Sequence, residues 1–466
     1  MAIKRLRRVA DELANADLGD ARRSRRLKSL AEAFCERPSG SLPKAMGSDA
    51  ALEGAYRLLN SAAIESAEIL QPHIDATCER AAAAGRFYAV SDTTELRFGG
   101  DDRIGLGPLQ GGGHGFLAHV CLAVASDGSR MPLGVLGVET IVRPDKPKKR
   151  RGTSASRRAG DRESIKWKRV ALSAEAAIGR QAEVIHVMDR EADIYDLFAE
   201  LHGRGHRFII RVGQNRSVLI GDDTTRLFAA LEKAQYCFSR EVPLSRRKRT
   251  SKKHVARAER RALLSVCSAR FLLRRPNTAD LGLPAELPLN FLHVFEETPP
   301  PGEKPVDWKI VTTEPIDTQS QLEAIVDGYR TRWVIEEFFK ALKSGCGIEK
   351  SQLESVHALL NLLAVKLPVA CQLLALRSHA ESNADALAAG IFTPLRLEVL
   401  RVMSRGRLPQ SPTTGEALLA VAALGGHIKN NGPPGWQVLG RGLEDLLRYE
   451  AAWAVFTIGE AKSDQS

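Results

Sequence analysis

The most regular alternation of apolar and polar positions lies between residues 327 and 350, in DGYRTRWVIEEFFKALKSGCGIEK. This stretch contains no proline and is rich in residues that favour helices. At about 100° per residue, five apolar side chains fall on one side of a helix and form a predicted core face. They are Val334, Ile335, Phe338, Ala341 and Leu342. Gly345 and Gly347 suit a left-handed cap, so the pattern predicts one helix that these glycines end.

The opposite side of this helix carries Tyr329, Arg332, Glu336 and Lys343. Their spacing places all four within a stripe of roughly 60°. Taken alone, such a stripe is typical of a solvated helix face with an Arg332–Glu336 ion pair, and exposed pairs contribute little to stability. The alternative is a surface that binds phosphate groups and holds one carboxylate for a metal ion. Acidic residues elsewhere in the chain decide between these two interpretations.

From residue 85 the pattern changes to that of strands. The segments RFYAVSDTTELRF, HVCLAVAS and PLGVLGVETIV predict a three-stranded meander, with the turn SDGSR before the third strand. Asp92 then lies within the first strand, where aspartate is disfavoured and a buried carboxylate needs partners. A hydrogen-bonded structural acid is the alternative interpretation of Asp92.

A second acid lies at the end of a buried strand. The pattern predicts a helix over residues 164–180 and a strand over 184–188 that ends at Asp189. Because α/β folds place their chemistry at the carboxyl ends of strands, Asp189 is a candidate site residue, with a helix N-cap as the alternative. Further strands follow in RFIIRVG and WKIVTTEPI, on either side of a strand-rich segment at about 212–306.

This order of elements predicts an α/β protein with a ribonuclease-H-like catalytic core over residues 71–370, in which the strand-rich segment is an insertion. Helical domains at 1–70 and 371–466 are expected to flank this core. The last helix carries an apolar seam that is either intramolecular core or a self-association surface. The seam consists of Leu443, Leu446, Leu447 and Trp453.

Composition narrows the choice of partner. The 466 residues are 44% hydrophobic and 26% charged, as in ordinary globular proteins with several domains. The net charge of +11 favours a polyanionic partner such as nucleic acid over an incidental basic surface. Two strongly basic segments, 143–162 and 245–261, stand out; the first is either an exposed loop that orders on nucleic acid or a solvated loop.

Membrane and secreted classes are disfavoured. The most apolar stretch, about residues 359–376, is interrupted by Asn361, Lys366 and Pro368, which predicts a buried helix pair rather than a membrane span. The first residues are basic but lack the apolar run of a signal peptide. The seven cysteines are scattered, without the spacing of zinc ligands, and indicate reduced thiols in a cytosolic protein.

Carboxylates from separate elements can hold two divalent ions about 3.5–4 Å apart, which activate a water or a 3′-hydroxyl for phosphoryl transfer. Oxygen ligands favour Mg²⁺ or Mn²⁺. Asp92, Asp189 and Glu336 meet this requirement by residue type and by position in the predicted fold. Spacing alone does not exclude the neighbouring acids Glu191, Asp193, Asp196 and Glu337.

The pattern Tyr329-x2-Arg332-x3-Glu336-x6-Lys343 resembles the YREK signature of bacterial DDE transposases of the insertion-sequence-four family. DTT at Asp92 and DREAD at Asp189 resemble the other two acidic motifs of that family. The similarity continues through LGDARR, EGAYR, ESIKW, RFIIRVG, RW-x-IEEF-x-KA-x-K and a late GG…W element. Four residues at fixed spacings and two ordered acidic motifs leave little room for chance agreement.

The resemblance implies a role for each candidate residue. Asp92, Asp189 and Glu336 would be the catalytic metal ligands, for two Mg²⁺ ions per site that Mn²⁺ can replace. Trp308 would line a pocket for a base flipped out of the DNA strand. The phosphates of the cleaved end would be contacted by Tyr329, Arg332, Lys343 and Arg211. The amino-terminal residues implied to bind the DNA end are Arg22, Arg23, Arg26 and Arg57.

The resemblance also implies a reaction and its partners. Nicking, hairpin formation, hairpin opening and strand transfer would take place at one metal site. The partners would be double-stranded DNA at the terminal inverted repeats, target DNA, and a second copy of the chain in a synaptic homodimer held by the carboxyl-terminal helices. Each protomer would bind one end and cleave the other, in the bacterial cytoplasm at the nucleoid and without a membrane partner.

Two alternatives stay open. One is a catalytically silent, transposase-derived DNA-binding inhibitor, although the presence of all three acids weighs against it. The other is a ribonuclease-H-like nuclease without strand transfer, which would need neither Trp308 nor a dimer.

Overall fold

The computed structural model describes residues 9–100, 103–144, 163–244, 257–428 and 433–463, with side chains as far as Trp453. Residues 145–162 and 245–256 of the two basic segments lie outside the described residues, so the prediction that they are loops is not tested there. The described end of the second segment includes Arg260 and Arg261, which begin a strand, so the loop prediction is wrong at these two residues. Within these ranges the chain combines one large mixed sheet with helices at both ends.

The amino-terminal part is helical. Its helices are α1 (Val9–Leu13), α2 (Ala21–Glu36), α3 (Leu42–Ala45), α4 (Asp49–Leu59) and α5 (Ser66–Ala84). Helix α2 begins at Asp20, whose carboxylate accepts a hydrogen bond from the backbone N–H of Arg22 at 2.7 Å. As the pattern predicts, α2 buries Leu27, Leu30 and Phe34 and leaves its arginines at the surface.

Twelve strands of the described chain form a single sheet. They are β1 (Arg86–Phe98), β2 (Gly107–Pro108), β3 (His114–Ala125), β4 (Pro132–Ile141), β5 (Glu183–Met188), β6 (Arg207–Arg211), β7 (Ser217–Ile220), β8 (Asp223–Arg226), β9 (Gln235–Leu244), β10 (Arg260–Arg274), β11 (Glu286–Phe295) and β12 (Asp307–Thr312). Three helices lie between strands, α6 (Lys166–Ile178), α7 (Tyr195–Gly203) and α8 (Leu227–Glu232).

The central part of the sheet has the order β4-β3-β1-β5-β6. Strands β4, β3 and β1 are antiparallel neighbours, whereas β1, β5 and β6 run parallel. This is the strand arrangement of a ribonuclease-H-like core, which confirms the predicted fold class. Strand β12 pairs antiparallel with β6 and leads the sheet outward into the inserted strands β7 to β11.

The carboxyl-terminal third is helical again. Its helices are α9 (Gln319–Thr331), α10 (Trp333–Lys340), α11 (Val356–Ser382), α12 (Pro394–Met403), α13 (Thr414–Leu424) and α14 (Trp436–Ser463). In α14, Leu446 is fully buried in a cluster with Leu400 and Val421, and Leu443 packs against it. These two residues of the predicted seam therefore belong to the intramolecular core, whereas Trp453 is 37% exposed.

The predicted pair of buried helices at 359–376 is wrong, because one continuous helix, α11, runs through Pro368. The free energy gained by burying this helix on all sides exceeds the cost of the backbone hydrogen bond that Pro368 cannot make. Among the helices of the described chain, α11 alone is long and apolar enough to cross a membrane, and 83% of its most apolar window is buried within the protein. The predicted domain boundary at residue 370 falls inside this helix.

The single helix predicted between residues 327 and 350 is also wrong in detail. The chain instead breaks at Arg332 between α9 and α10, continues as a π-helical turn at Ala341–Gly345 and ends in a 3₁₀ turn. Gly347 has the predicted left-handed conformation, with φ of 61°. Gly345 serves packing instead, because a Cβ atom there would lie 2.5 Å from Cδ2 of Leu373 in α11.

Candidate active site

The sheet places the first two acids side by side. In the parallel pairing of β1 with β5, Ser91 is opposite Met188, and the next residues are Asp92 and Asp189. Alternate strand residues face opposite sides. Val90 of β1 and Val187 of β5 both pack in the cluster that contains the core face of α10. Asp92 and Asp189 have the same parity as these residues and therefore face the same side.

A glycine lets helix α9 approach this face closely. A Cβ atom on Gly328 would lie 2.8 Å from Cδ1 of Ile209 in β6 and 3.0 Å from Cε1 of Tyr88 in β1. The next residue, Tyr329, is only 3% exposed, and its hydroxyl donates a hydrogen bond to Asp189 Oδ1 at 3.4 Å. The close approach of the helix thus brings a phenol onto the second acid.

Arg332 joins the first acid to the third. Its Nη1 atom donates to Asp92 Oδ2 at 3.1 Å, and its Nη2 atom donates to Glu336 Oε1 at 2.7 Å. Arg332 is only 6% exposed, so the interpretation of this helix side as a solvated face is wrong for Arg332 and Tyr329. Acids from β1 and α10 therefore meet at one buried guanidinium, beside the acid that follows β5.

Burial dominates the electrostatics of this cluster. Burial raises the pKa of Asp92 from its ordinary value of 3.8 to about 6, against the lowering effect of Arg332 and the Thr93 N–H, and the charges of Asp189 and Glu336 raise it further. Burial likewise raises the pKa of Tyr329 to about 12, helped by Asp189. Burial acts to lower the pKa of Arg332, but the surrounding negative charges leave it above its usual value.

Two of the neighbouring acids, Asp193 and Glu337, make their contacts outside this cluster. Asp193 is 1% exposed, accepts hydrogen bonds from the N–H groups of Gly213 and Gln214 at 2.9 and 2.7 Å, and pairs with Arg216. Glu337 points away from the cluster and accepts a hydrogen bond from Trp436 Nε1 at 2.8 Å. Both acids therefore hold parts of the fold together.

The remaining two neighbouring acids, Glu191 and Asp196, differ from Asp189 in their positions. Glu191 is exposed on the short turn that follows Asp189, and Asp196 is half-buried in the first turn of α7. Asp189 is the acid of the DREAD motif that contacts the signature residues, through Tyr329.

The three carboxylates fit a divalent metal by donor type. Hard oxygen donors from separate elements suit Mg²⁺ or Mn²⁺. Burial is the main cause of the raised pKa of Asp92, which is paired with Arg332. Within the described residues, however, no three acidic, histidine or cysteine side chains lie close enough together to form a ready metal cage. The cation that these carboxylates share is the Arg332 guanidinium.

Other predicted residues gather around Tyr329. The ring of Trp308 on β12 meets the Tyr329 ring edge-on, with centroids 5.3 Å apart. Arg211, at the end of β6, donates a hydrogen bond from Nη2 to the Asp307 carbonyl at 3.0 Å. Its positive charge is close enough to Tyr329 to oppose the rise that burial causes in the Tyr329 pKa. Both residues remain partly exposed, so Trp308 and Arg211 are available to a ligand beside the acids.

Lys343 is set further along the helix. It lies in the π-helical turn, seven residues after Glu336, or about 10 Å along the helix axis. Its Nζ atom is 4.0 Å from Glu349 Oε1, and burial lowers its pKa. The structure thus brings Tyr329 and Arg332 to the acids and places Lys343 at one end of the site.

The predicted DNA-end-binding arginines lie on α2 and α4. Arg26 and Arg57 line a shallow cleft between these helices. Arg23 donates from Nη1 to the Leu18 carbonyl at 3.0 Å and so has a structural contact, while Arg22 is exposed. None of their described contacts reaches the acids, and their role in DNA binding stays a prediction.

Two further residues at the site were missed by sequence reasoning. Trp333 is 50% exposed, with the Arg332 guanidinium 5.0 Å from its ring centroid, and an exposed indole can stack on a base. Lys166, in α6, is 5% exposed, and its charge interacts with those of Glu191 and Asp92. Trp333 occurs in the segment RW-x-IEEF and Lys166 in ESIKW, which are two of the segments that carry the family resemblance. Trp333 also lies off the apolar face of its helix, so both residues could have been found from the sequence.

Two family models match parts of this chain. The model of the transposase DNA-binding family matches residues 8–64, and that of the transposase DDE domain matches residues 171–368. The second match contains Asp189 and Glu336 and begins after Asp92. A solved structure, the cryo-EM structure of the piggyBac transposase synaptic complex with hairpin DNA, is similar at 10% identity and a TM-score of 0.31. That similarity covers 65% of this chain and about half of the other, 48%. The two family matches show that the chain carries a transposase DNA-binding domain followed by a transposase DDE domain, which supports a DDE transposase.

Proposed function

We propose that the protein moves an insertion sequence by cut-and-paste transposition, through nicking, hairpin formation, hairpin opening and strand transfer. The observation that carries the proposal is the meeting of Asp92, Asp189 and Glu336, from three distant segments, around Arg332 and Tyr329. The matched DNA-binding and DDE domains support it. The motifs around Asp92, Asp189 and Glu336 resemble those of the cut-and-paste transposase of transposon Tn-five, which also supports the proposal.

Asp92, Asp189 and Glu336 would hold two Mg²⁺ ions, or Mn²⁺ in their place. When bound, the ions would activate the attacking water or 3′-hydroxyl and stabilise the leaving oxygen. The protein's own contribution is to present the carboxylates on rigid elements, two on adjacent strands and one on a helix packed against them. A buried, partly desolvated Asp92 strengthens each charge interaction within the site.

The basic and aromatic side chains around the acids would hold the DNA. Arg332 has donors that match a phosphate as well as a carboxylate, and Arg211 and Lys343 extend this positive surface to either side. Tyr329 would donate a hydrogen bond from its hydroxyl group to a phosphate oxygen, since its raised pKa keeps the hydroxyl protonated. Trp308, partly exposed against Tyr329, would receive a flipped base.

We further propose the partners and the division of labour along the chain. Residues 1–70 would bind the terminal inverted repeat through Arg22, Arg23, Arg26 and Arg57, and residues 71–370 would catalyse the reaction. Residues 371–466 would join two protomers in the synaptic homodimer, with each protomer cleaving the end that the other binds. Exposed aromatic residues on α14, Tyr449 at 46% and Trp453 at 37%, support a contact surface there. The work would take place in the bacterial cytoplasm, on nucleoid and target DNA.

The direct test uses linear DNA that carries the short inverted repeats flanking the coding region. Purified protein with Mg²⁺ is expected to give nicked, hairpin and joined products in that order, and none with EDTA. Glu336→Ala is expected to bind the ends and to leave them uncut. Cleavage without hairpins or joined products would favour a nuclease, and end binding by the natural chain without any cleavage would favour a silent inhibitor.

A further inference from the structure

The residue next to the third acid is held by the carboxyl-terminal helix. Glu337 Oε2 accepts a hydrogen bond from Trp436 Nε1 at 2.8 Å and lies 3.5 Å from Arg377 Nη1. Its other oxygen, Oε1, accepts from Lys340 Nζ at 2.6 Å. Glu337 thus connects α10, which carries Glu336, to α14 and α11.

Trp436 is built into this junction. It is the first residue of α14 and is only 5% exposed. The Arg377 guanidinium lies 4.7 Å from its ring centroid, so the indole is held by a cation–π contact as well as by its N–H group. A buried N–H donor must have a partner, and Glu337 is the partner that the fold supplies.

A second contact joins α14 to the turn that carries Lys343. A Cβ atom on Gly440 would lie 2.8 Å from the carbonyl oxygen of Gly345, so the two backbones touch. Gly345 ends the π-helical turn, in which the N–H of Cys346 donates to the Ala341 carbonyl at 2.7 Å. π-Helical turns are rare and are frequently found at functional sites, and this one carries Lys343. The contact with α14 therefore supports the backbone of a candidate site residue.

We propose that Trp436 and Glu337 are positioning residues, through which the carboxyl-terminal helix fixes the orientation of Glu336. Glu336 and Glu337 are about 100° apart on one short helix, so a rotation of α10 that releases Glu337 also moves Glu336. The inference rests on the proposed function, because it gives the carboxyl-terminal domain a part in the chemical step in addition to joining protomers.

The test separates the indole N–H from the packing of the ring. Trp436→Phe keeps an aromatic ring beneath Arg377 and removes the donor to Glu337. Its single-turnover nicking rate at saturating DNA is expected to fall about tenfold, as for the loss of a hydrogen bond to a charged group, while the Kd for the DNA end stays unchanged. Glu337→Ala should show the same loss, and Glu337→Gln, which keeps an accepting oxygen, should restore most of the rate.

The double variant gives the sharper measurement. Trp436→Phe combined with Glu337→Ala should be no slower than either single variant, because both remove the same contact. Glu381→Gln is the matched control, since Glu381 is the other carboxylate on Arg377, at 2.7 Å from Nε, and does not contact Trp436 in the described structure. Its nicking rate is expected to equal that of the natural chain.

A readout without catalysis keeps the proposal independent of the transposition reaction. Titration with Mn²⁺ followed by electron paramagnetic resonance should give a several-fold weaker binding for Trp436→Phe than for the natural chain. Unchanged Mn²⁺ binding together with an unchanged nicking rate in Trp436→Phe would overturn the proposal. A natural chain that binds Mn²⁺ but cuts no DNA end would instead overturn the proposed function. The difference in Mn²⁺ binding between the natural chain and Trp436→Phe would still test the positioning role of Trp436.

Discussion

Two short segments of this chain each carry more than one acid, and the fold gives the acids of each segment different partners. In the DREAD turn, Asp189 faces Tyr329, whereas Asp193 is buried against Arg216 and two backbone N–H groups. In the IEE segment of α10, Glu336 meets Arg332, whereas Glu337 turns to Trp436. In both segments one acid lies in the candidate site and another acid holds parts of the fold together. The partner that each carboxylate meets, and not its residue type, decides the role.

The largest expected effect separates Glu336 from Glu337. Glu336→Gln should lower the cleavage rate by about a thousandfold or more, which corresponds to about 4 kcal/mol, since the proposed catalytic carboxylate is lost. Glu337→Gln should stay within about threefold of the natural rate, because its amide oxygen still accepts from Trp436. Cleavage assays on a DNA end, with end binding measured in parallel, give both numbers. Equal losses in the two variants would remove the distinction between them.

Substitution of Asp193 should lower stability, whereas substitution of Asp189 should lower activity. Asp193→Ala leaves the buried Arg216 without its carboxylate and should lower the free energy of unfolding by about 3–5 kcal/mol. Asp189→Asn should leave stability nearly unchanged and abolish cleavage. Urea unfolding followed by circular dichroism measures the first effect. A stable Asp193→Ala variant that fails only in cleavage would place Asp193 in the site.

The sequence pattern predicted the elements that carry the acids but not their arrangement in the fold. The alternating pattern of β1 and the buried run of β5 predicted the strands that carry Asp92 and Asp189, and the helical spacing predicted the core face of α10. The register between β1 and β5 is a contact between distant segments, so no local pattern could place the two acids side by side.

Spacing also could not choose between neighbouring acids. The partners Arg216 and Trp436 that remove Asp193 and Glu337 from the site come from other elements of the fold. A helical wheel gives the angle of Arg332 but not the sheet that covers it, so the stripe alone could not distinguish a solvated face from the buried positions of Tyr329 and Arg332.

The protonation of Asp92 makes stability depend on pH. In the folded protein its pKa is raised from 3.8 to about 6, so between these values the folded chain keeps a proton that the unfolded chain releases. Stability should therefore fall as the pH rises from about 4 to about 6, by at most about 3 kcal/mol. Asp92→Asn lacks this titration and should be the more stable protein above pH 7 in buffer with EDTA.

Thermal unfolding across this pH range, with and without Mg²⁺, is the corresponding measurement. Adding Mg²⁺ at pH 7.5 should raise the Tm of the natural chain more than that of Asp92→Asn, because the ion binds the ionised carboxylate. Parallel pH profiles for the two proteins would show that Asp92 titrates normally and would contradict its burial.

The smallest expected effect concerns Tyr329. Its hydrogen bond to Asp189 is long, at 3.4 Å, so Tyr329→Phe should change the free energy of unfolding by less than about 1 kcal/mol. The ring still packs against Trp308, and only the hydroxyl is lost. Cleavage should fall several-fold, if the hydroxyl contacts a phosphate of the DNA. An unchanged rate at every salt concentration would leave Tyr329 as a packing residue.

The position of the metal tests the central claim most directly. Anomalous diffraction from crystals of the natural chain grown with Mn²⁺ and a cleaved DNA end should show density bounded by the carboxylates of Asp92, Asp189 and Glu336. Density held by Asp193 or Glu337, or none within reach of the three acids, would contradict the account.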